Sequence, residues 1–215
     1  MLFVRTLKRS KPCLMETPST LVSLDVDLPV WERVFTVAPL VVVGTKDPEG
    51  GHSFAPKHQA MPIGWANYFG FACTPEHRTY RNVLREGVFT VTYPPATQVI
   101  RAALAASLRS DDEARHALDA FPTFPAKTID GVFLSDGYLF LECELEKIVG
   151  GFGPFGLITG RVAAAYVREE ALRIFDQSDH ELIGRMPLPV YLAPGRYASV
   201  RESFAFPVPE GMTHG

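Results

Sequence analysis

Between Ser53 and Tyr93 the spacing of hydrophobic positions changes, and each change marks an element. Phe69, Phe71 and Cys73 alternate with Tyr68, Gly70 and Ala72, the two-residue period of a strand with small residues on one face. Thr74-Pro75-Glu76-His77-Arg78-Thr79 then predicts a helix start. Thr74 suits the N-cap, Pro75 the first helical position, where a missing N–H costs nothing, and Glu76 the positive end of the dipole. The helix runs over His77–Glu86 with Tyr80 and Val83 in the core, and Gly87-Val88-Phe89-Thr90-Val91 opens another strand.

Upstream, Leu28–Phe35 predicts a short helix with Pro29 near its start. Leu40–Thr45 is rich in β-formers, and Lys46–Gly51 is a turn before a second strand from His52. Downstream, Val99, Ile100, Ala103, Leu104 and Leu108 recur at helical spacing within Ala96–Arg109. Ser110-Asp111-Asp112-Glu113 is a capping box opening another short helix to Ala120. Strand-like segments return at Gly131–Val149, with a turn at Ser135-Asp136-Gly137, and at Gly156–Val167. Leu139, Leu141, Cys143 and Leu145 alternate with Phe140, Glu142, Glu144 and Glu146, which predicts one buried face and one wet face. No repeat or low-complexity segment interrupts this pattern. Many short strands with interposed helices predict a mainly β fold, a closed or split antiparallel barrel with peripheral helices. No βαβ alternation with a G-x-G-x-x-G fingerprint occurs, which argues against a Rossmann enzyme.

Length and composition bound the picture without sharpening it. A chain of 215 residues is read as one domain able to bury ~70% of its unfolded surface. We expect that domain over 23–206, a flexible N-terminal extension over 1–22 and a tail over 207–215. Arg5, Lys8, Arg9 and Lys11 precede no apolar run of signal-peptide length. Dense apolar runs such as Pro39–Val43 are too short to cross a bilayer. A net charge of −3 offers no footprint for nucleic acid or an anionic membrane. Cys13, Cys73 and Cys143 are odd in number and widely spaced, which favours a reducing cytoplasm over a disulfide framework.

Two polar groupings carry candidate chemistry. Lys57 and His58 interrupt the apolar Ser53–Met61 segment, as solvated charges on an edge strand or as the wall of a pocket. His77, Arg78 and Thr79 are either ordinary exposed residues of a first helical turn or an anion site. Free N–H groups, cations and a hydroxyl are what a phosphate needs. Cations at a helix N-terminus oppose the dipole, so a nearby anion explains them better than helix stability does. His52, His58 and His77 fall at irregular intervals, and Cys73 and His77 lack the second pair of a zinc site. There is no G-x-S-x-G elbow and no P-loop. Cys73 reads as a small buried hydrophobe. The run Gly150-Gly151-Phe152-Gly153-Pro154-Phe155-Gly156 lacks a following helix, so its aromatics suggest a mobile lid or a subunit contact rather than a phosphate loop.

Ala55-Pro56-Lys57-His58, Thr79, Arg81-Asn82-Val83 and Gly87–Val91 together resemble the flavin reductase-like family of FMN-binding split β-barrels. The likeness extends from about Leu28 to Tyr197, with His58 standing where that family often has Ser. The resemblance implies that Ala55, Pro56, Lys57, His58 and Gln59 face the flavin. It implies that Thr74, His77, Arg78 and Thr79 hold its phosphate, and that Tyr197 on the closing strand approaches it. FMN is the implied cofactor, with FAD left open, and NAD(P)H is the electron donor, delivering hydride to flavin N5. Reduced flavin would pass its electrons to a second acceptor such as a partner monooxygenase. The family likeness also implies a homodimer with flavin between subunits, to which Trp31, Trp65, Tyr68 and Phe69 could contribute. No catalytic dyad or triad is expected, because the cofactor carries the hydride chemistry. Two alternatives stay open: a flavoprotein reductase or oxygenase acting on a specific organic substrate, and a non-catalytic flavin- or haem-binding module.

Overall fold

The computed structural model describes residues 20–98, 122–205 and 207. The helices expected beyond Gln98 and the tail beyond Pro207 lie outside the described residues, as do Cys13 and the extension up to residue 19. Strands β1 (Thr36–Pro39), β2 (Val41–Lys46), β3 (His52–Lys57), β4 (Ala60–Pro62) and β5 (Tyr68–Cys73) precede helix α1 (Arg78–Glu86). Strands β6 (Val88–Tyr93), β7 (Thr123–Pro125), β8 (Val132–Leu134), β9 (Leu139–Phe152) and β10 (Phe155–Val167) follow. Helix α2 (Asp179–Arg185) then leads to the hairpin of β11 (Leu188–Ala193) and β12 (Arg196–Val200).

Seven strands form one antiparallel sheet in the order β3-β2-β6-β9-β10-β5-β4. Its two outermost strands, β3 and β4, are consecutive in the chain and separated only by His58 and Gln59. A two-residue link cannot span a flat sheet of that width, so the sheet must curl until its edges meet. The Gln59 carbonyl accepts the Ala72 N–H at 2.8 Å, carrying the β4–β5 pairing up to that seam. Val41, Val43, Phe69, Phe71, Val83, Phe89, Val91 and Ile158 fill the interior. A second, three-stranded sheet, β1-β11-β12, lies beside this half-barrel. Among the described residues no helix is long and apolar enough to cross a membrane.

The expected helix over Leu28–Phe35 is a single 3-10 turn, Val30–Glu32, with Pro29 at its N-cap, and Arg33, Val34 and Phe35 link it to β1. The wet face expected on β9 is dry in its first half: Phe140 and Glu142 are buried. The β7–β8 hairpin covers them. Phe140 packs edge-on against Phe124 and Phe133, with centroids at 5.0 and 5.4 Å. The same hairpin requires Gly44 on β2, where a Cβ would lie 2.9 Å from the Val132 carbonyl oxygen.

Glu142 is buried because the loop after β7 supplies its partners. Its Oε1 accepts the Lys127 N–H at 2.7 Å. Its Oε2 accepts the Thr128 N–H at 2.7 Å, the Thr128 hydroxyl at 2.5 Å and the Ile129 N–H at 3.2 Å. Burial alone would raise the pKa of this carboxyl, but these donors and the Tyr166 hydroxyl outweigh it and hold it below the usual range. A depressed folded value means the contribution is complete above the unfolded pKa and is lost as pH falls through the folded one. Glu142→Gln would turn an amide donor toward donors, and we expect it to cost ~2 kcal/mol at neutral pH. Thermal melts at neutral and acid pH check this. The gap between wild type and variant should shrink as the wild-type carboxyl protonates.

Candidate functional site

Register parity decides where Lys57 points. On β3 it pairs with Val41, and Ala55 pairs with Val43, so both face the interior that those valines line. Pro56, which has no N–H to give, is tolerated because β3 ends the sheet order. Lys57 is 7% exposed, with its ammonium 5.9 Å from the centroid of the Phe71 ring. The ammonium also donates to Cys73 Sγ on β5 at 3.5 Å. A solvated edge charge is therefore not what β3 carries at this position.

After Cys73 the chain turns before the helix begins. The His77 N–H donates to the Thr74 carbonyl at 3.1 Å, and α1 starts at Arg78 with His77 as N-cap. Thr74 is thus not the N-cap. Pro75 suits a turn as well as a first helical position, and here the turn takes it. Glu76 lies outside the helix, its carboxyl pKa lowered by its own backbone N–H and then by the Thr74 hydroxyl. The first turn of α1 contains no acidic residue. Its first two N–H groups, those of Arg78 and Thr79, have no acceptor within the helix. Arg78 is exposed and its guanidinium lies 3.5 Å from Asp47; Thr79 is buried. His77 Nδ1 sits 3.8 Å from Cys73 Sγ.

Lys57, Cys73 and His77 therefore form one continuous contact from the end of β3 to the start of α1. It joins the two segments that the sequence singled out. The next residue departs to the other side. His58 stacks on Tyr191 of β11, with centroids 4.1 Å apart and planes at 25°. Tyr191 is itself held by its hydroxyl, which accepts the Gly195 N–H at 2.8 Å. Burial lowers the pKa of His58, helped by the Lys57 charge, so the imidazole is neutral at pH 7. Gln59 is exposed and contributes its carbonyl to the seam.

Tyr197 lies opposite Tyr191 in the β11–β12 pairing and is largely exposed. Tyr191, not Tyr197, makes the contact with His58. Sequence reading passed over Tyr191, although it sits on the same face of the same hairpin. Asn82 and Asp47 were also missed as a pair: Asn82 Nδ2 donates to Asp47 Oδ1 at 2.8 Å and to Thr45 Oγ1 at 3.0 Å, fastening α1 to the β2–β3 turn. Among the described residues no group of three or more His, Cys, Asp or Glu is arranged to hold a metal.

What the cluster offers is cationic and donor-rich: a buried ammonium, a helix N-terminus and an exposed guanidinium. Such a set fits an anionic ligand. Residues 34–200 match the family model described as flavin reductase like domain. The chain belongs to that family. Its fold is the split barrel shared by solved flavin reductase-like structures. Nitrilotriacetate monooxygenase component B from Bacillus cereus is 18% identical, with a TM-score of 0.71 over 92% of this chain and 100% of that one. An FMN-binding protein from Thermus thermophilus, solved with 1-cyclohex-2-enone, is 22% identical, with a TM-score of 0.67 over 89% and 99%. The 2-nitrobenzoate 2-nitroreductase of Pseudomonas fluorescens is 22% identical, with a TM-score of 0.67 over 82% and 87%.

Proposed function

We propose that this chain is an FMN-dependent oxidoreductase that draws reducing equivalents from NADH or NADPH and hands them to a second acceptor. The observation that carries this reading is the Lys57–Cys73–His77 contact, which sets a buried cation beside a helix N-terminus within a flavin reductase-like fold. Bound FMN would supply hydride acceptance and donation at N5. The protein's part is to bind and orient. The Arg78 and Thr79 N–H groups, the Arg78 guanidinium and the Thr79 hydroxyl would hold the phosphate. Lys57 would meet the pyrimidine end, where its fixed charge favours the electron-rich form. Ala55, Pro56 and Gln59 would shape the floor between them, and Tyr197 the opposite wall.

The relatives support a redox reading, and component B of a monooxygenase points to a partner that consumes reduced flavin. Exposed Trp31 and Trp65, with Phe35, Val37 and Met61, support a homodimer, whereas Phe69 is buried in the barrel core and cannot contribute to its interface. One observation favours a second reading, direct reduction of an organic substrate. His58, stacked on Tyr191, would offer an imidazole hydrogen bond to such a substrate on the Tyr191 side of β3.

An anaerobic absorbance titration tests the first reading. Flavin-free protein loaded with FMN should bleach on addition of NADH or NADPH far faster than FMN alone does. Bound flavin that neither nucleotide bleaches would overturn the reductase reading. A different electron donor would then have to be sought.

A further inference from the structure

Asp47 occupies an unusual place for a carboxylate, next to the exposed guanidinium of Arg78 at the start of α1. It is anchored from three sides. Its N–H donates to the Gly51 carbonyl at 2.7 Å, and its carbonyl accepts the Gly50 N–H at 3.0 Å, which locks the β2–β3 turn. Its Oδ1 accepts from Asn82, a residue 1% exposed inside α1. Asn82 Oδ1 in turn accepts from Arg85 Nη1 at 3.1 Å, and Arg85 Nη2 donates to the Lys46 carbonyl at 2.5 Å. The bracket holds Oδ2 at 3.5 Å from Arg78 Nη1.

We propose that Asp47 is a specificity-determining residue that weakens the grip of the α1 N-terminus on a phosphomonoester. The proposal rests on the phosphate reading given above. Two effects compete. The carboxylate could orient Arg78 and so assist binding, or its charge could oppose a dianion and so hinder it. The separation is long for a charge-assisted hydrogen bond, and Arg78 is about half exposed, so the orienting effect is small. Repulsion between this fixed, mostly buried carboxylate and a phosphate bound at the Arg78 and Thr79 N–H groups would act at any Arg78 rotamer. Repulsion wins. Asp47 thereby keeps the cofactor exchangeable, a property suited to a protein that releases flavin to a second acceptor.

The test measures FMN and riboflavin binding to flavin-free protein at low and moderate salt. Asp47→Asn keeps an oxygen for Asn82, removes the charge and places an amide N–H group where Oδ2 faces Arg78. It should widen the preference for FMN over riboflavin about five- to tenfold at low salt, through tighter FMN and unchanged riboflavin. Asp47→Glu should keep the wild-type ratio, and Thr79→Ala should narrow it. Should Asp47→Asn lower the melting temperature of the flavin-free protein, Asp47→Ser also removes the charge and its FMN-to-riboflavin ratio is read the same way. A wild-type preference that Thr79→Ala narrows but loss of the Asp47 charge leaves unchanged or reduces would overturn the proposal and leave the phosphate reading standing. No preference for FMN in the wild type would overturn both.

Discussion

Saturating FMN is expected to raise the thermal midpoint of the flavin-free protein by ~5–11 °C. A ligand that binds only the folded state stabilises it by ~2.7 kcal/mol at a hundred times its dissociation constant. For a domain of this size each kcal/mol moves the midpoint by ~2–4 °C. The structure gives a reason for binding to depend on folding. Lys57 and His77 are twenty positions apart in sequence, and only the pairing of β3 with β2 and the curl of the sheet bring both onto the Cys73 sulfur. The unfolded chain has no such cluster to offer. Riboflavin should shift the midpoint less than FMN, FAD less if its adenylate half finds no room, and haem not at all. A melting temperature that stays flat across FMN concentrations, in protein shown to start without flavin, would refute the assigned cofactor.

Much of this fold was legible because its strands obey simple periods. The alternation of Phe69, Phe71 and Cys73 reads directly as β5, and Phe89 and Val91 read as β6, since each strand buries one face in the barrel. The errors have physical causes. Pro75 serves a turn as readily as a first helical position, so the start of α1 was placed before its actual N-cap at His77. Glu142 looked wet because its partners come from a loop that is remote in register, and no period in β9 announces a cover. Helix α2 was missed although Ser178 and Glu181 stand at capping-box spacing, and the Glu181 N–H does donate to Ser178 Oγ. Tyr191 and Tyr197 share a face of one hairpin, and only the docking of β11 on β1 selects which meets His58. Lys57 was the open case. Composition allowed an edge charge or a pocket wall, and register parity with Val41 decides for the interior.

Because Lys57 is the buried charge nearest the proposed flavin, its removal should have the larger chemical effect. Lys57→Met keeps the length and apolar bulk of the stem and deletes the ammonium. In flavin-free protein this deletes the ammonium's contacts with Cys73 Sγ and the Phe71 ring together with its desolvation cost, and a melt of that protein separates any change in stability from the effect on FMN. The effect appears with FMN bound. Two-electron reduction adds negative charge near the pyrimidine, so a cation there stabilises the reduced form more than the oxidised one. Losing an interaction of charged-hydrogen-bond size, ~1.5–3 kcal/mol, should weaken reduced FMN relative to oxidised FMN by roughly 10- to 100-fold. For a two-electron couple that lowers the midpoint potential by ~30–60 mV. Anaerobic potentiometric titration of the two holoproteins against a reference dye reads this shift directly. The expected pattern is near-equal affinity for oxidised FMN, a lower potential and slower bleaching by nicotinamide in the variant. Equal potentials with FMN bound to both proteins would mean that Lys57 faces away from the isoalloxazine and supports the barrel rim instead. A large loss of oxidised-FMN affinity at unchanged potential would place its ammonium at the phosphate, beside Arg78, and exchange the two ends of the ligand.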